Sequence, residues 1–332
     1  MPIPGPSAGS ALAVRGLASI MTAVILKPTN AKELSRGLAH AFALGEKVER
    51  ADLRALNRVV EYTPEDMTVT VEAGITLGAL QAALVKGGQW LPLDPPNPDA
   101  LTVEALLALN ASGPRRYGYG TVRDYVIGLR VVLADGRVVR SGAKVVKNVA
   151  GYDLAKLFIG SQRSLGIVAE VIFKLRPLPE VEATVSTRCA SLEEVSLRIE
   201  AVLDSELAPV VIDLHNCRSR TALVLGFAGT GEEVEWQVAK ARELGFNEAS
   251  DLDYEQSFWR DEALPNRVSV LPSKTTEVIR RLGDIRFVAR AGNGVIYYRG
   301  GPAPSKNDAP VKLTRRLKDA FDPKRILPDL LL

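Results

Sequence analysis

The chain has 332 residues, 46% hydrophobic and 24% charged, which is apolar material for one large domain or two ordinary ones and excludes disorder over most of its length. Forty-two basic side chains against 39 acidic ones leave a formal charge of +3; with no zinc-finger spacing, aromatic-basic tract or lysine run, a nucleic-acid partner is not expected. Cys189 and Cys217 belong to no CxxC pair and no apolar run is long enough to cross a membrane, so a cytoplasmic protein with two free, buried thiols and no transmembrane segment is expected.

Residues 1–20 are rich in glycine, proline and small side chains and read as a flexible leader. The pattern MTAVILKP at 21–28 predicts a strand, and Asn30 stands where it caps a helix with Glu33 at its third position, Leu34, Leu38 and Phe42 on one face and Gly45 at its end. The alternation MTVTV at 67–71 predicts a half-buried strand. Thr76 opens a helix over 77–86 that buries Leu77, Leu80, Ala83 and Leu84 and stops at Gly87 and Gly88. After the proline-rich turn at 91–99, a helix is predicted at 102–110, then strands at 127–133 and 137–140 joined by Asp135–Gly136, the strongest hairpin signal in the chain. An apolar helix at 154–159 and a strand at 166–175 follow, and a boundary is expected at 176–182, where Pro177 and Pro179 intervene.

From 184 onward the order is strand, helix 191–203, strand 209–214, strand 221–227, helix 231–244 and strands 286–289 and 294–298. That alternation predicts an antiparallel sheet with helices on one face. A glycine- and proline-containing linker leads to an amphipathic helix at 311–321.

Residues 110–160 carry nine Lys or Arg against three acids, a local charge of +6 in a chain whose total is +3. Glycines at 113, 118, 120, 142, 151 and 160 permit tight turns and let main-chain N–H groups approach a ligand. A planar, phosphate-bearing ligand would use both properties; a glycine-punctuated loop region with a solvated basic face is the alternative that composition leaves open. In KVVKNVAGYD at 144–153, a cation, a two-sided amide, a glycine and a tyrosine converge in a manner suited to a cofactor pocket. No GxGxxG follows a strand and no GxxxxGK[ST] occurs, so any nucleotide site uses another architecture. His40 reads as a helix residue and His215 as either a substrate-side group or a solvent-facing strand end; two histidines so placed give no basis for a metal site.

The succession MTVTVEAG (67–74), WLPLDPPNPD (90–99), NASGPRRYGYGTVRD (110–124), IGLRVVLADG (127–136), KVVKNVAGYDLAKLFIG (144–160) and LGIVAEVIFKLRP (165–177) resembles the FAD-linked oxidases of the vanillyl-alcohol oxidase type. Among them it is most similar to the FAD-binding E subunit of bacterial glycolate oxidase. The resemblance implies an α+β fold: an FAD-binding domain of the vanillyl-alcohol oxidase (PCMH) type over 21–180, a second α+β cap-like domain over 181–304 and a C-terminal segment, 305–332, returning to the first. It implies non-covalent FAD, a 2-hydroxy acid such as glycolate or D-lactate as substrate, and a complex with a catalytic flavoprotein subunit and an iron–sulfur subunit, through which alone any membrane association would arise.

Carried over by position, the resemblance assigns Pro92, Leu93 and Asp94 to a loop near the cofactor and Asn110, Ser112 and Gly113 to flavin contacts. It further points to Gly118, Lys147, Asn148, Gly151, Tyr152, Gly160, Ser161, Gly166 and Ile167, and supplies no general base. Three departures fall at flavin-facing positions. The glycine-rich loop expected between the first helix and LNRVVEY is missing; a threonine-isoleucine-glycine-glycine turn reads Thr102, Val103, Glu104, Ala105; and a later glycine-threonine reads Arg163, Ser164. Glu104 is repulsive to a nearby diphosphate and Arg163 offsets it. A flavin-free scaffold subunit of the same complex is therefore the alternative.

Overall fold

The computed structural model describes residues 23–142, 154–217, 221–261, 263–302 and 311–329. A parallel strand pair, Ala23–Leu26 and Lys47–Ala51, is connected by the helix Ala31–Leu44. That helix begins where the Asn30 side chain accepts the Glu33 N–H at 2.9 Å and ends at Gly45, whose φ of 71° is left-handed. The segment 52–58 that follows the second strand contains no glycine.

Five antiparallel strands form the first large sheet, in the order Val59–Thr63, Thr68–Glu72, Ile167–Lys174, Val126–Val132, Val138–Gly142. Leu34 and Leu38 of the long helix pack on one face of it with Val132, Ala134, Ile167 and Ala169. The other face carries the helices Leu77–Val85 and Val103–Leu109, whose leucines meet Val69, Val71, Val131 and Phe173. The strand Thr68–Glu72 is buried at every position, not half-buried, because it lies between two neighbours in a sheet covered on both faces; alternation measured polarity, and Thr68 and Thr70 are buried polar residues.

The second sheet has seven antiparallel strands, in the order Glu248–Ala249, Val181–Arg188, Ala222–Gly229, Val211–His215, Arg286–Arg290, Val295–Arg299, Asn266–Ser269. Helices Leu192–Leu203, Gly231–Glu243 and Thr275–Leu282 cover one face through Val195, Val234, Ala241 and Ile279. The helix Asp253–Trp259 lies on the opposite face, packing Tyr254 and Phe258 against Val224 and Val288. Helices on a single face were expected. The seven-residue helix responsible has no capping side chain to announce it.

The helix Val311–Phe321 returns to the first sheet: Phe321 meets Phe158 edge-on at 5.8 Å, and Ile326 and Leu327 join Leu34 and Leu38. Where the units meet, Arg115 bridges Asp94 of the first and Glu182 of the second, and the Gly118 N–H donates to the Val210 carbonyl at 3.0 Å. Among the described residues no helix is long and apolar enough to cross a membrane.

Candidate functional site

The loop after the Leu77–Val85 helix is fixed by Gln81, whose Oε1 accepts the Leu91 N–H at 3.1 Å while its amide donates back to the Leu91 carbonyl. Pro92 and Leu93 are thereby buried and Asp94 is directed at Arg115, which donates to it through Nη1 at 2.9 Å. Burial pushes the Asp94 carboxyl above the usual carboxylate range despite Arg115 and Arg290. Burial opposes the charge of Arg115 too, but Glu182 and Asp94 hold its guanidinium above its ordinary value. Gly113 packs onto this loop so closely that a Cβ would stand 1.9 Å from the Asp94 carbonyl oxygen.

Asn110 ends the helix Val103–Leu109 in a left-handed conformation, φ 48°, and its Oδ1 is buried with no donor among the described residues. The Gly160 N–H donates to Leu107 at 2.8 Å, bringing the 160–162 turn beside Asn110, and Ser161 bonds the Phe158 carbonyl at 2.8 Å. Ser112 accepts from Arg116 Nη1 at 3.3 Å. Asn110, Ser112, Gly113, Gly160 and Ser161 thus lie together with the Asp94 loop. Gly118 instead abuts Val210 of the second unit, and Gly166 and Ile167 are packed into the sheet against Val131 and the Leu34 helix. Lys147, Asn148, Gly151 and Tyr152 lie outside the described residues.

Two of the departures pair with each other. Glu104, 4% exposed, accepts from Arg163 Nε at 2.8 and 2.9 Å and from Nη2 at 2.6 Å, and Glu104 raises the pKa of that arginine. Arg163 keeps a left-handed backbone, φ 66°, at the position where the resemblance expects glycine.

A buried network in the second unit was not anticipated. Arg290, fully buried, donates to Asp213 and to both oxygens of Glu255, and the Tyr254 hydroxyl donates to Asp213 at 2.7 Å. Burial, with Glu255 adding, pushes Asp213 up to about 7 against the pull of Arg290. His215 is buried and stacked on Tyr254 at 4.2 Å, so it is not a solvent-facing strand end; His40 is exposed on its helix. Cys189 is buried and Cys217 only partly so, and neither is in a disulfide. The members of the network come from two strands and a helix whose spacing in sequence carries no signal of convergence. Beside the network, a cleft of about 780 Å³ opens between the units, walled by Trp90, Asp94 and Arg115 on one side and Glu255, Trp259 and Arg260 on the other.

Residues 23–142 match the family model described as an FAD binding domain. The glycolate oxidase subunit GlcE of Escherichia coli (strain K12) is 35% identical over 64% of this chain and 59% of its own length. The glycolate oxidase subunit GlcD of Bacillus subtilis (strain 168) is 38% identical over 48% of this chain and 34% of its own. The chain therefore spans between about a third and three-fifths of these relatives. A solved structure of alkyldihydroxyacetonephosphate synthase, 17% identical, superposes with a TM-score of 0.68 over 93% of this chain and 77% of that one, a likeness of fold.

The described residues fit a hydrogen-bonding cofactor such as FAD: among them Asn110 offers a buried carbonyl oxygen lacking a donor, beside main chain free of a Cβ at Gly160. The carboxylate of Glu104 engages Arg163. The matched domain, the relatives and the fold agree: residues 23–142 match an FAD binding domain, and the chain is similar in sequence to glycolate oxidase subunits.

Proposed function

We propose that the chain is an FAD-linked subunit of a glycolate oxidase-like complex that oxidises a 2-hydroxy acid of the glycolate or D-lactate class. In this reading residues 21–180 hold the flavin, 181–304 form the cap, and 305–332 lock back onto the flavin domain. A catalytic flavoprotein subunit and an iron–sulfur subunit complete a cytoplasmic complex and carry electrons onward. The observation that carries the reading is the Asn110 Oδ1, without a donor among the described residues, inside a matched FAD-binding domain, because a buried acceptor without a donor costs about 1–3 kcal/mol unless a ligand supplies one.

When bound, FAD supplies a two-electron acceptor for the hydride of the hydroxyl-bearing carbon. Asn110 would accept a hydrogen bond from it, Gly160 would let it approach the main chain, and the Asp94–Arg115–Glu182 chain ties the cap to the first unit. Lys147, Asn148, Gly151 and Tyr152 are proposed as its remaining partners.

The test is to purify the protein, record its flavin absorption and titrate FAD into wild type and Asn110→Gly, a change that keeps the left-handed backbone and deletes the acceptor. Saturable binding, weakened about tenfold in the variant, is expected, equivalent to about 1.4 kcal/mol. A protein that takes up no FAD is a scaffold, and equal affinities remove Asn110 from the site.

A further inference from the structure

The cleft of about 780 Å³ between the units has two unlike walls. On the second unit the wall is one face of the helix Asp253–Trp259 with its lead-in: Leu252, Glu255, Gln256 and Trp259 recur at helical spacing, while Tyr254 and Phe258 turn into the sheet. On the first unit it is built by Trp90, Leu93 and three prolines of the loop that follows, Pro95, Pro96 and Pro98, with Pro114 beside them. A mostly apolar lining and a volume of this size are usual for a small-molecule site.

The charges on these walls are already matched. Asp94 takes Arg115 at 2.9 Å, and Glu255 takes Arg290 through both of its oxygens at 2.7 Å. Asp99 and Arg260, both exposed, line opposite walls with opposite sign. An ion entering the cleft would have to displace an internal partner, so the walls favour an uncharged guest. One donor is left over. Trp90 is 9% exposed, with the Arg115 guanidinium over its ring at 5.8 Å and Tyr119 edge-on to it at 5.4 Å, yet its Nε1–H has no acceptor among the described residues. A guest with a carbonyl oxygen would relieve the cost of that buried N–H. The Trp259 N–H is spent on Glu255 at 3.1 Å, which leaves its ring as apolar contact surface for a second ring.

One loop separates the cleft from the flavin-side groups. A Cβ on Gly113 would stand 1.9 Å from the Asp94 carbonyl oxygen, and the next two residues, Pro114 and Arg115, are cleft wall. In the functional reading above, each turnover leaves two electrons on the cofactor that have to be removed before the next. A quinone is uncharged, has a flat ring with carbonyl oxygens, and takes up two electrons.

The geometry points to the cleft walled by Trp90 and Trp259 as a binding site for a quinone, held by a hydrogen bond from the Trp90 Nε1–H to a quinone carbonyl, which accepts electrons from the reduced cofactor. Two electrons and two protons pass from the dihydroflavin to the quinone, giving the hydroquinone and restoring oxidised FAD, so the step closes without another reactant. The electron step rests on the functional reading above, and adds a route to the one through partner subunits; the binding site rests on the cleft.

The test uses duroquinone, whose ring positions are all blocked against addition of thiols, and durene, its twin without carbonyls. Equilibrium dialysis of each against the purified full chain, with flavin content measured in the same samples, is expected to show saturable duroquinone binding and durene binding weaker by about fivefold or more. Trp90→Phe keeps a ring but deletes the donor, so it lowers duroquinone affinity to about that of durene and leaves durene unchanged. Gln256→Trp, a change at an exposed position that fills the cleft from the helix, abolishes binding of both with the thermal midpoint kept. With the cofactor reduced chemically in the absence of oxygen, its reoxidation by duroquinone saturates and slows in both variants, whereas reoxidation by ferricyanide, which needs no site, does not change. Absence of saturable duroquinone binding, equal affinity for quinone and durene, or unchanged affinity in both variants overturns the inference. So does reoxidation by duroquinone that is indifferent to filling the cleft, because the electrons then leave elsewhere. A flavin-free protein that binds duroquinone through Trp90 defeats the functional reading and leaves the binding site standing; a flavin-loaded protein that binds none defeats the site and leaves the reading.

Discussion

Glu104 and Arg163, 59 residues apart, are joined through both carboxylate oxygens, and each occupies a position where the family resemblance leads one to expect a glycine. The partners are unequal: Glu104 is 4% exposed and Arg163 is 37% exposed. Arg163→Ala therefore strands a buried carboxylate and is expected to cost about 3 kcal/mol, whereas Glu104→Ala leaves an arginine that turns to water and costs about 1 kcal/mol. The double variant Glu104→Ala with Arg163→Gly removes both charges and about 1 kcal/mol of left-handed strain, and returns close to wild type. Urea midpoints of the four proteins measure this; a larger loss from Glu104→Ala than from Arg163→Ala contradicts the assignment.

Asp213 makes the second unit sensitive to pH. Its carboxyl is raised from an ordinary 3.8 to about 7, so between those values the folded protein holds a proton that the unfolded chain releases. Stability from this group is complete below pH 3.8 and is lost as pH rises through about 7. Asp213→Asn abolishes that contribution. The difference in unfolding free energy between variant and wild type, followed by urea denaturation from pH 4 to 8, is expected to move in favour of the variant with rising pH and level off above about 7. A difference that is flat with pH, or that moves the other way, means Asp213 is ionised throughout.

Much of the first unit was legible because its signals are local. Asn30 with Glu33, Thr76, Thr102 and Asp135–Gly136 each act within a few residues, and each ends or starts an element where expected. Burial of Thr68 and Thr70 was not legible, since it depends on which strands become neighbours. The pairing of Glu104 with Arg163 was hidden for the same reason, although both residues stood out as departures. The Asp213–Glu255–Arg290 network escaped entirely: its members come from two strands and an uncapped helix, and only the sheet's register brings them together.

Lys318 is the most enclosed cation on the return of the C-terminal helix, and it is held by more than its charge. Its Nζ donates to Asp322 at 2.7 Å and to the carbonyls of Ser164, Leu327 and Pro328 at 3.0, 3.0 and 2.9 Å. Asp322 in turn accepts the Ile326 and Leu327 N–H groups, so one ion pair ties the helix, the chain end and the turn carrying Arg163. Methionine fills similar space but leaves Asp322, fully buried, with two main-chain donors and no cation, and three carbonyls lose a donor. Lys318→Met is thus expected to cost about 3–5 kcal/mol, and the double change Lys318→Met with Asp322→Asn to recover part of it by removing the stranded charge. Denaturant unfolding of both variants measures the loss, and proteolysis read by mass spectrometry is expected to cut first near residues 311–329 in the single variant. A single variant as stable as wild type and equally resistant there means that the apolar contacts of Phe321, Ile326 and Leu327 suffice to hold the helix, and the clasp contributes nothing.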